Sequence, residues 1–411
     1  MPFIQFHRRY IRPIGLCIVL CCWFFTTYAQ YFSIADNSKR RTLPFRLIRN
    51  LVVVKVNINN SGPYNFILDT GVGLMIITDP QLVDSINIPN KRTIKIAGLG
   101  NGESYEAFVT TPLNINISGI VSHNVSAAIF KKDHFGLSHY AGIDIHGLLG
   151  YEFFNKLAVK VNFTDSLITV TKPEHMRRFK KGSRVPITIE DNKPYLNTVI
   201  TLNDETQQIK KVIVDLGAGH PISLENVTDN KVYSQQLIDA NLGIGLNGLI
   251  TGHKGRIKAM QFGKYTIKNV LTSFPDDDTR QLTVFRDGNM GVDMLKKFTV
   301  VFNYSGGEIY IKPTVGFKAP FEHDMSGLQY YAAGDNYEHI VVERVEPGSP
   351  GEEAGICEDD EITAINFKPV ADMTLEQIDQ LLKSRNNRSL LIDLYRNKTT
   401  ERTVITLKRR I

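Results

Sequence analysis

Two aspartates that each end an apolar run are the residues best placed to do chemistry. Residues 66–71 are an apolar run that ends in Asp, Thr and Gly, and residues 212–217 repeat the design with Asp, Leu and Gly. Such a run places a carboxylate at the end of a buried strand, on a turn that glycine makes easily. Two carboxylates held close together share one proton, so one can accept a proton from water while the other donates one. Asp69 and Asp215 are therefore a candidate acid–base pair.

Further features repeat in the same order after each acid. A glycine-rich stretch follows at a similar distance in both halves, at residues 98–102 and 243–248, and a Gly-x-x-Gly segment comes later, at 147–150 and 288–291. The segments between them alternate apolar and polar residues and end in turn residues, which is typical of β-hairpins. The repeat predicts an internal duplication of an all-β lobe.

These motifs resemble those of the pepsin and retropepsin aspartic proteases, over about residues 45–315. Asp-Thr-Gly after an apolar strand, a glycine-rich flap and apolar-apolar-Gly carry the resemblance, and the short lobes look like two fused retropepsin units. The resemblance implies a mainly β fold, a bilobal acid-protease β-barrel of two retropepsin-like lobes. It also implies an aspartic endopeptidase in which Asp69 and Asp215 activate a water. The residues that it implies support the dyad are Thr70, Gly71 and Gly217. The flap that it implies comprises Gly98, Leu99, Gly100, Asn101 and Gly102.

Two features depart from the family pattern. In the family, the hydroxyl after each Asp reaches the opposite strand and locks the dyad; Thr70 supplies one such hydroxyl, but Leu216 has none. Pepsin also carries a hydroxyl at the third position after each Asp, whereas this chain has Val72 and Ala218. Loss of a hydrogen bond to a carboxylate favours its protonated form. We therefore expect the dyad to titrate at higher pH than that of pepsin, with a mildly acidic to near-neutral optimum.

Two functions of different classes remain open. The first is the endopeptidase, which acts on a peptide or protein substrate. The second is a catalytically weak or inactive peptide-binding scaffold of the same fold, in which Leu216 marks the loss of catalysis. Because one chain holds both acid turns, we expect a monomer as the active unit. We expect no cofactor and no metal, since the histidine spacing fits no zinc pattern.

Other ligand classes are less compatible with the sequence. The chain has 411 residues and a net charge of +6. It shows no basic stripe interleaved with aromatic residues, so nucleic-acid binding is not expected. Gly243-x-Gly245-x-x-Gly248 formally matches a dinucleotide fingerprint. It follows residues 235–240, which we predict to be helical, and no strand–turn–helix unit surrounds it, so we reject this interpretation.

The C-terminal part resembles a bacterial-type PDZ domain. The segments that carry the resemblance are 326–330, 346–350 and 359–366, and residues 374–377 are typical of a capping box that begins a helix. The resemblance implies that a peptide C-terminus would bind the backbone amides of Gly327, Leu328, Gln329 and Tyr330. The peptide would then add as a strand between that edge and the helix. The alternative is a docking module that packs on the protease and binds nothing.

The N-terminus is typical of a secretory signal. Three arginines within residues 8–12 precede a short apolar core at 14–25, and residues 27–29 supply a small-x-small cleavage pattern. An uncleaved membrane anchor is the alternative, although the core is short for a bilayer. Of four cysteines only Cys357 lies beyond this segment, which excludes an internal disulfide in the mature chain. We expect an exported protein in the periplasm, in the cell envelope or outside the cell, from a Gram-negative bacterium.

The domain organisation follows from these assignments. The predicted order is a signal peptide at 1–29, a polar linker at 30–45, protease lobe 1 at 46–175, protease lobe 2 at 180–315 and a PDZ domain at 323–411.

Overall fold

The first lobe is built around the strand that ends at Asp69. The computed structural model describes residues 31–36, 38–82, 86, 92–96, 105–133, 135–225, 236–245, 248–276 and 284–411. The strands of this lobe are β1 Ser33–Ile34, β2 Arg40–Pro44, β3 Arg46–Ile48, β4 Leu51–Ile58, β5 Ser61–Leu68, β6 Met75–Ile77, β7 Arg92–Ile96, β8 Tyr105–Val109, β9 Leu113–Ile117, β10 Ile120–Val125, β11 Ala127–Phe130, β12 Gly147–Leu149, β13 Ala158–Asn162 and β14 Leu167–Thr171. All except β2, β13 and β14 form one sheet. Its helices are α1 Leu137–Ala141 and α2 Tyr151–Phe154.

The second lobe repeats this arrangement around the strand that ends at Asp215. Its strands are β15 Ser183–Pro186, β16 Thr188–Glu190, β17 Lys193–Thr201, β18 Gln207–Val214, β19 Ile222–Leu224, β20 Ile238–Gly245, β21 Gly248–Phe262, β22 Tyr265–Pro275, β23 Gly288–Met290, β24 Phe298–Asn303 and β25 Glu308–Pro313. Strands β16 to β23 form one sheet, and helix α3, Val292–Leu295, follows β23. The segment Ile238–Gly245 corrects one prediction. We expected a helix over residues 235–240, but the part from Ile238 onward is a strand that pairs with β21.

A third sheet joins the two lobes. Its strand order is β15-β25-β24-β13-β14-β2, so each half of the chain contributes three of its strands. Ala158 of the first half pairs with Asn303 of the second at the centre of this sheet. Phe154 and Phe302 pack edge to face in a hydrophobic core that draws on both halves. The two lobes therefore share a core as well as a sheet.

The prediction of a polar linker at residues 30–45 is wrong over its described part. Arg40–Pro44 is strand β2, which pairs with β14 at the edge of the sheet between the lobes. Phe32 and Leu43 are only 1% and 2% exposed. The arginines of β2 lie at its exposed and half-exposed positions, as an edge strand allows. Because the surrounding residues are polar, Phe32 and Leu43 were not recognised as buried residues from the sequence.

The C-terminal domain has its own sheet and its own core. Its strands are β26 Leu328–Ala333, β27 His339–Val345, β28 Glu361–Ile365, β29 Lys368–Pro369, β30 Ser389–Arg396 and β31 Thr399–Thr406, and its helices are α4 Pro350–Glu353 and α5 Leu375–Leu382. The predicted capping box is confirmed: Thr374 Oγ1 accepts from the N–H of Gln377, and Gln377 Oε1 accepts from the N–H of Thr374. β26 lies at the edge of the sheet. Among the described residues, no helix combines the length and the apolar character that a membrane crossing needs.

Candidate active site

Equivalent strands in the two lobes lead into Asp69 and Asp215 and position them. β12 lies parallel to β5, and the N–H of Asp69 donates to the carbonyl oxygen of Leu149 at 2.9 Å. β23 lies parallel to β18, and the N–H of Asp215 donates to the carbonyl oxygen of Met290 at 2.8 Å. The predicted duplication thus extends to the hydrogen bonds that fix the direction of each acid.

The Gly-x-x-Gly segments are explained by close backbone approach. A Cβ on Gly147 would overlap the carbonyl oxygen of Ile76, and a Cβ on Gly288 would overlap the carbonyl oxygen of Ser223. Only glycine leaves room for such contacts. These glycines allow β12 and β23 to lie between neighbouring strands, where they support the ends of β5 and β18.

The two acid turns face each other. Asp69 Oδ1 accepts the N–H of Gly71 at 2.7 Å, and Asp215 Oδ1 accepts the N–H of Gly217 at 2.8 Å. A Cβ on Gly71 would lie 2.8 Å from Asp215 Oδ2, and a Cβ on Gly217 would overlap the carboxyl group of Asp69. Each acid therefore rests on the glycine of the opposite lobe, in a space that a methyl group would fill.

The protonation of Asp69 reflects this arrangement. Burial raises the pKa of Asp69 well above its usual value, and the charge of Asp215 and a hydrogen bond to it raise this pKa further. The N–H of Gly71 and the charge of Lys193 act in the opposite direction. The carboxyl group of Asp69 thus keeps its proton to higher pH than an exposed aspartate. Burial is the largest cause of this rise.

Thr70 bonds across the interface between the lobes. Its Oγ1 donates to the carbonyl oxygen of Val214 at 2.6 Å and accepts the N–H of Leu216 at 2.9 Å. Its side chain is completely buried. The side chain of Leu216 is also completely buried and belongs to the core shared by the lobes. One hydroxyl thus makes two bonds to the opposite strand, and the second lobe contributes apolar packing where its own hydroxyl is absent.

Two polar residues beside Asp215 complete the site. Asn289 Nδ2 donates to Asp215 Oδ2 at 2.7 Å, a contact that the sequence analysis did not identify. Alignment of the two halves could have identified this residue, because the first lobe has Leu148 at the position of Asn289. Burial lowers the pKa of His220, against the opposing effect of the Asp215 charge, so its imidazole is neutral near pH 7.

Hairpins lead toward both glycine-rich stretches. β7 and β8 pair as far as Ile96 and Tyr105. The predicted flap residues, Gly98 to Gly102, lie between them and outside the described residues. β20 and β21 pair as far as Gly245 and Gly248 in the second lobe. In the first lobe the chain therefore reaches and leaves the glycine-rich stretch along antiparallel strands, whereas in the second lobe Gly243, Gly245 and Gly248 are themselves strand residues.

Comparison with known families identifies two domains. Residues 54–153 match the family described as aspartyl protease, and residues 341–396 match the family described as PDZ domain. The chain contains an aspartyl protease domain and a PDZ domain. The predicted family resemblance and the predicted mainly β fold class are confirmed.

Three solved structures are among those that match parts of this chain. The aspartic proteinase from Irpex lacteus is 13% identical with a TM-score of 0.47, and the match covers 68% of this chain and 98% of that one. Basic 7S globulin from soybean is 10% identical with a TM-score of 0.40, covering 69% and 97%. The photosystem II D1 C-terminal processing protease is 22% identical with a TM-score of 0.20, covering 21% and 23%. A search of curated proteins gave no match.

The predicted carboxylate-binding loop of the PDZ domain makes internal hydrogen bonds. The N–H of Gly327 donates to Asp324 Oδ1 at 2.7 Å, and the N–H of Leu328 donates to Ser326 Oγ at 3.1 Å. The N–H of Gly327, one of the amides predicted to hold a peptide carboxylate, is thus paired with Asp324. A peptide C-terminus would have to displace it to bind there.

The protease domain covers the edge strand of the PDZ domain. Arg49 Nη1 donates to the carbonyl oxygen of Tyr330 at 3.1 Å, and His139 Nδ1 donates to the carbonyl oxygen of Ala332 at 2.9 Å. Arg49 also makes a two-pronged contact with Asp379 of α5, at 3.1 Å from both Nε and Nη2. The side chain of Arg49 therefore lies between β26 and α5, where the sequence analysis placed a peptide.

Arg49 belongs to a turn that also reaches the active site. Arg49 and the next residue, Asn50, both have left-handed backbones, with φ of 46° and 65°. Asn50 Nδ2 donates to the carbonyl oxygen of Gly219 at 2.8 Å, in the loop that follows Asp215. One two-residue turn therefore contacts both the PDZ domain and the loop that follows Asp215 in the second lobe.

Proposed function

We propose that this protein is an exported aspartic endopeptidase that hydrolyses peptide bonds with a water activated by Asp69 and Asp215. The facing of the two acid turns supports the proposal, since Gly71 and Gly217 each pack on the opposite acid. Aspartic proteases are themselves the established example of two carboxyl groups that share one proton. The raised pKa of Asp69 fits such a pair.

The reaction follows from this shared proton. The ionised acid takes a proton from the water, whose oxygen attacks the carbonyl carbon of the peptide bond, and the protonated acid donates to the carbonyl oxygen. As the C–N bond of the tetrahedral intermediate breaks, the acid that took the proton from water donates it to the nitrogen, and the other acid regains a proton from a hydroxyl of the intermediate, which yields a carboxylic acid and an amine. No covalent bond to the protein forms. An extended peptide would occupy the cleft between the lobes.

Cleavage of denatured casein between pH 3 and pH 8 tests this proposal. We expect Asp69→Asn and Asp215→Asn each to lower the rate about 1000-fold, because each removes one of the two proton-transfer steps. Activity should fall as low pH protonates both acids, and should be lost as pH rises through the raised pKa of Asp69. An optimum near pH 2 would contradict the pH argument. A rate proportional to protein concentration would support a monomeric active unit.

The alternative function is a catalytically weak peptide-binding scaffold. The absence of a hydroxyl at Leu216 favours it, because the lock between the acid turns depends on Thr70 alone. The casein experiment separates the two hypotheses. No cleavage by the wild-type protein at any pH, together with retention of the peptide by the folded chain, would favour the scaffold. Loss of cleavage in the Asp69 variant alone would mean that the second lobe only supports the first.

We propose that the PDZ domain recognises peptide segments only when the turn at Arg49 withdraws. The contacts of Arg49 and His139 with the carbonyl groups of Tyr330 and Ala332 support this, because a peptide strand would need that edge. In the closed state the domain acts as a docking module. The contact between Asn50 and Gly219 offers a route by which opening would reach the catalytic loop.

Arg49→Ala should open the groove and destabilise the docked domain. The variant removes two hydrogen bonds to Asp379 and leaves this largely buried carboxylate without its ion-pair partner, although the charge of Lys383 still acts on it, so we expect a cost of about 3 kcal/mol. We expect faster amide hydrogen exchange in β26 and α5. Arg402→Ala is the matched control, because Arg402 makes a similar contact with Asp393 on the exposed face of the same domain. Equal exchange in both variants would refute the closed groove.

We also propose that residues 1–29 direct export to the cell envelope and are then removed. The arginines and the short apolar core support this assignment. These residues lie outside the described part of the chain. Amino-terminal sequencing of protein recovered from the periplasm tests the proposal, because cleavage after Ala29 would leave Gln30 as the first residue.

A further inference from the structure

Asn289 carries a buried side-chain amide that contacts one acid of the dyad, Asp215. Its side chain is 4% exposed, and its Nδ2 lies 2.7 Å from Asp215 Oδ2. It pairs with Ile213 in the second lobe as Leu148 pairs with Ile67 in the first. Leu148 belongs to a hydrophobic cluster. The duplication is therefore broken at this position, in favour of a hydrogen-bond donor beside Asp215.

Packing alone does not account for this amide. Its Oδ1 is buried and has no hydrogen-bond partner among the residues that the structure describes. A buried polar atom that is left unpaired destabilises the folded chain. The first lobe fills the equivalent position with leucine at no such cost. The contact of Nδ2 with Asp215 is thus the feature that distinguishes Asn289 from an apolar residue.

We propose that Asn289 is a positioning residue that assigns the negative charge of the dyad to Asp215 and the shared proton to Asp69. The inference rests on the proposed function and deepens it, because it gives each acid its role. A side-chain amide N–H donates to a carboxylate oxygen and favours the charged form. Asp215 would then take the proton from water, and Asp69 would donate to the carbonyl oxygen of the peptide.

The other titratable groups around Asp215 agree with this assignment. Asp69 faces it from the first lobe, His220 lies on its own loop, and Tyr304 lies at the sheet between the lobes. Burial raises the pKa of Asp69 and of Tyr304, and burial lowers the pKa of His220. Burial thus favours the neutral form of all three groups, and the amide of Asn289 contacts Asp215 rather than Asp69. Lys193, which acts on Asp69 from β17, opposes part of the effect on that acid.

Asn289→Leu tests the assignment, since leucine is the residue of the first lobe. Loss of a hydrogen bond to the charged form should move the acidic limb of the kcat/KM profile upward by about one pH unit. Asn303→Leu is the matched control: Asn303 is 5% exposed, and its Nδ2 donates to Glu308 in the sheet between the lobes. It should lower stability without moving the limb. Asn289→Ser, which keeps a smaller donor, should restore part of the wild-type profile.

A second readout does not depend on activity. NMR titration of chains labelled with 13C at the aspartate carboxyl carbons, with signals assigned in Asp69→Asn and Asp215→Asn, follows the ionisation of each acid. We expect Asn289→Leu to move the ionisation of Asp215 to higher pH. If the wild-type protein does not cleave casein, the proposed function is overturned, but the titration still decides the role of Asn289.

Two results would overturn the inference. An unchanged titration, with a rate that falls equally at every pH, would assign Asn289 a structural role only. A shift of Asp215 to lower pH in Asn289→Leu would show that the amide oxygen accepts a proton from Asp215. The proton would then belong to Asp215 and the charge to Asp69.

Discussion

Gly217→Ala should lower casein cleavage at least 100-fold in a chain that still folds. The added Cβ would overlap the carboxyl group of Asp69, so the acid must move away from its partner. A displacement of about 1 Å in a reacting group costs about 100-fold in rate. The measurement is kcat/KM for the purified variant, together with its thermal unfolding midpoint as a check on folding.

Gly219→Ala is the matched control for this variant. It adds the same methyl group two residues along the same loop, where the nearest atom, the carbonyl oxygen of Arg49, is at an ordinary 3.5 Å. Gly71→Ala should have an intermediate effect, because its Cβ would meet the terminal oxygens of Asp215 at 2.8 Å and 2.9 Å. Equal activity of Gly217→Ala and Gly219→Ala would mean that Asp69 does not rest on the opposite lobe.

The acid turns were predictable because local rules and the duplication agree there. Apolar strands that end at Asp69 and Asp215, and glycines where two backbones meet, leave a signal within a few residues of each site. The duplication then provides an independent check, since both halves must satisfy the same geometry. The capping box at Thr374 was predictable for the same reason, because its partners are three residues apart.

Long-range contacts and edge strands left no such signal. Arg49 and Asp379 are 330 residues apart, and neither residue is unusual in its local sequence. The segment at 30–45 was misread because β2 is an edge strand whose arginines lie at exposed and half-exposed positions. A helix was predicted over residues 235–240, but from Ile238 onward the chain is a strand, because it pairs with β21. Tertiary pairing decided all three.

Thr70→Val should destabilise the chain and weaken catalysis together. Valine keeps the shape of the buried side chain but removes both bonds of Oγ1, to the carbonyl oxygen of Val214 and from the N–H of Leu216. Each buried polar group that is left unpaired costs about 1–3 kcal/mol, so for the two groups we expect a loss of about 2–6 kcal/mol in the free energy of unfolding. Urea unfolding measures this loss, and kcat/KM measures the effect on the dyad.

Two controls separate the lock from general packing. Thr70→Ser keeps the hydroxyl and should retain most of the activity. Thr169→Val removes a hydroxyl from an exposed pair with Thr42 and should leave both measurements near the wild-type values. A Thr70→Val chain that unfolds at the wild-type urea concentration would contradict the lock.

The result also bears on the choice between enzyme and scaffold. Leu216 is completely buried in the core that the lobes share, so the second lobe holds its acid turn by apolar packing rather than by a hydroxyl. If Thr70→Val loses catalysis far beyond its loss of stability, the single hydroxyl orients a working dyad. If stability falls and the wild type is already inactive, Thr70 only joins two lobes, and the cleft functions by binding.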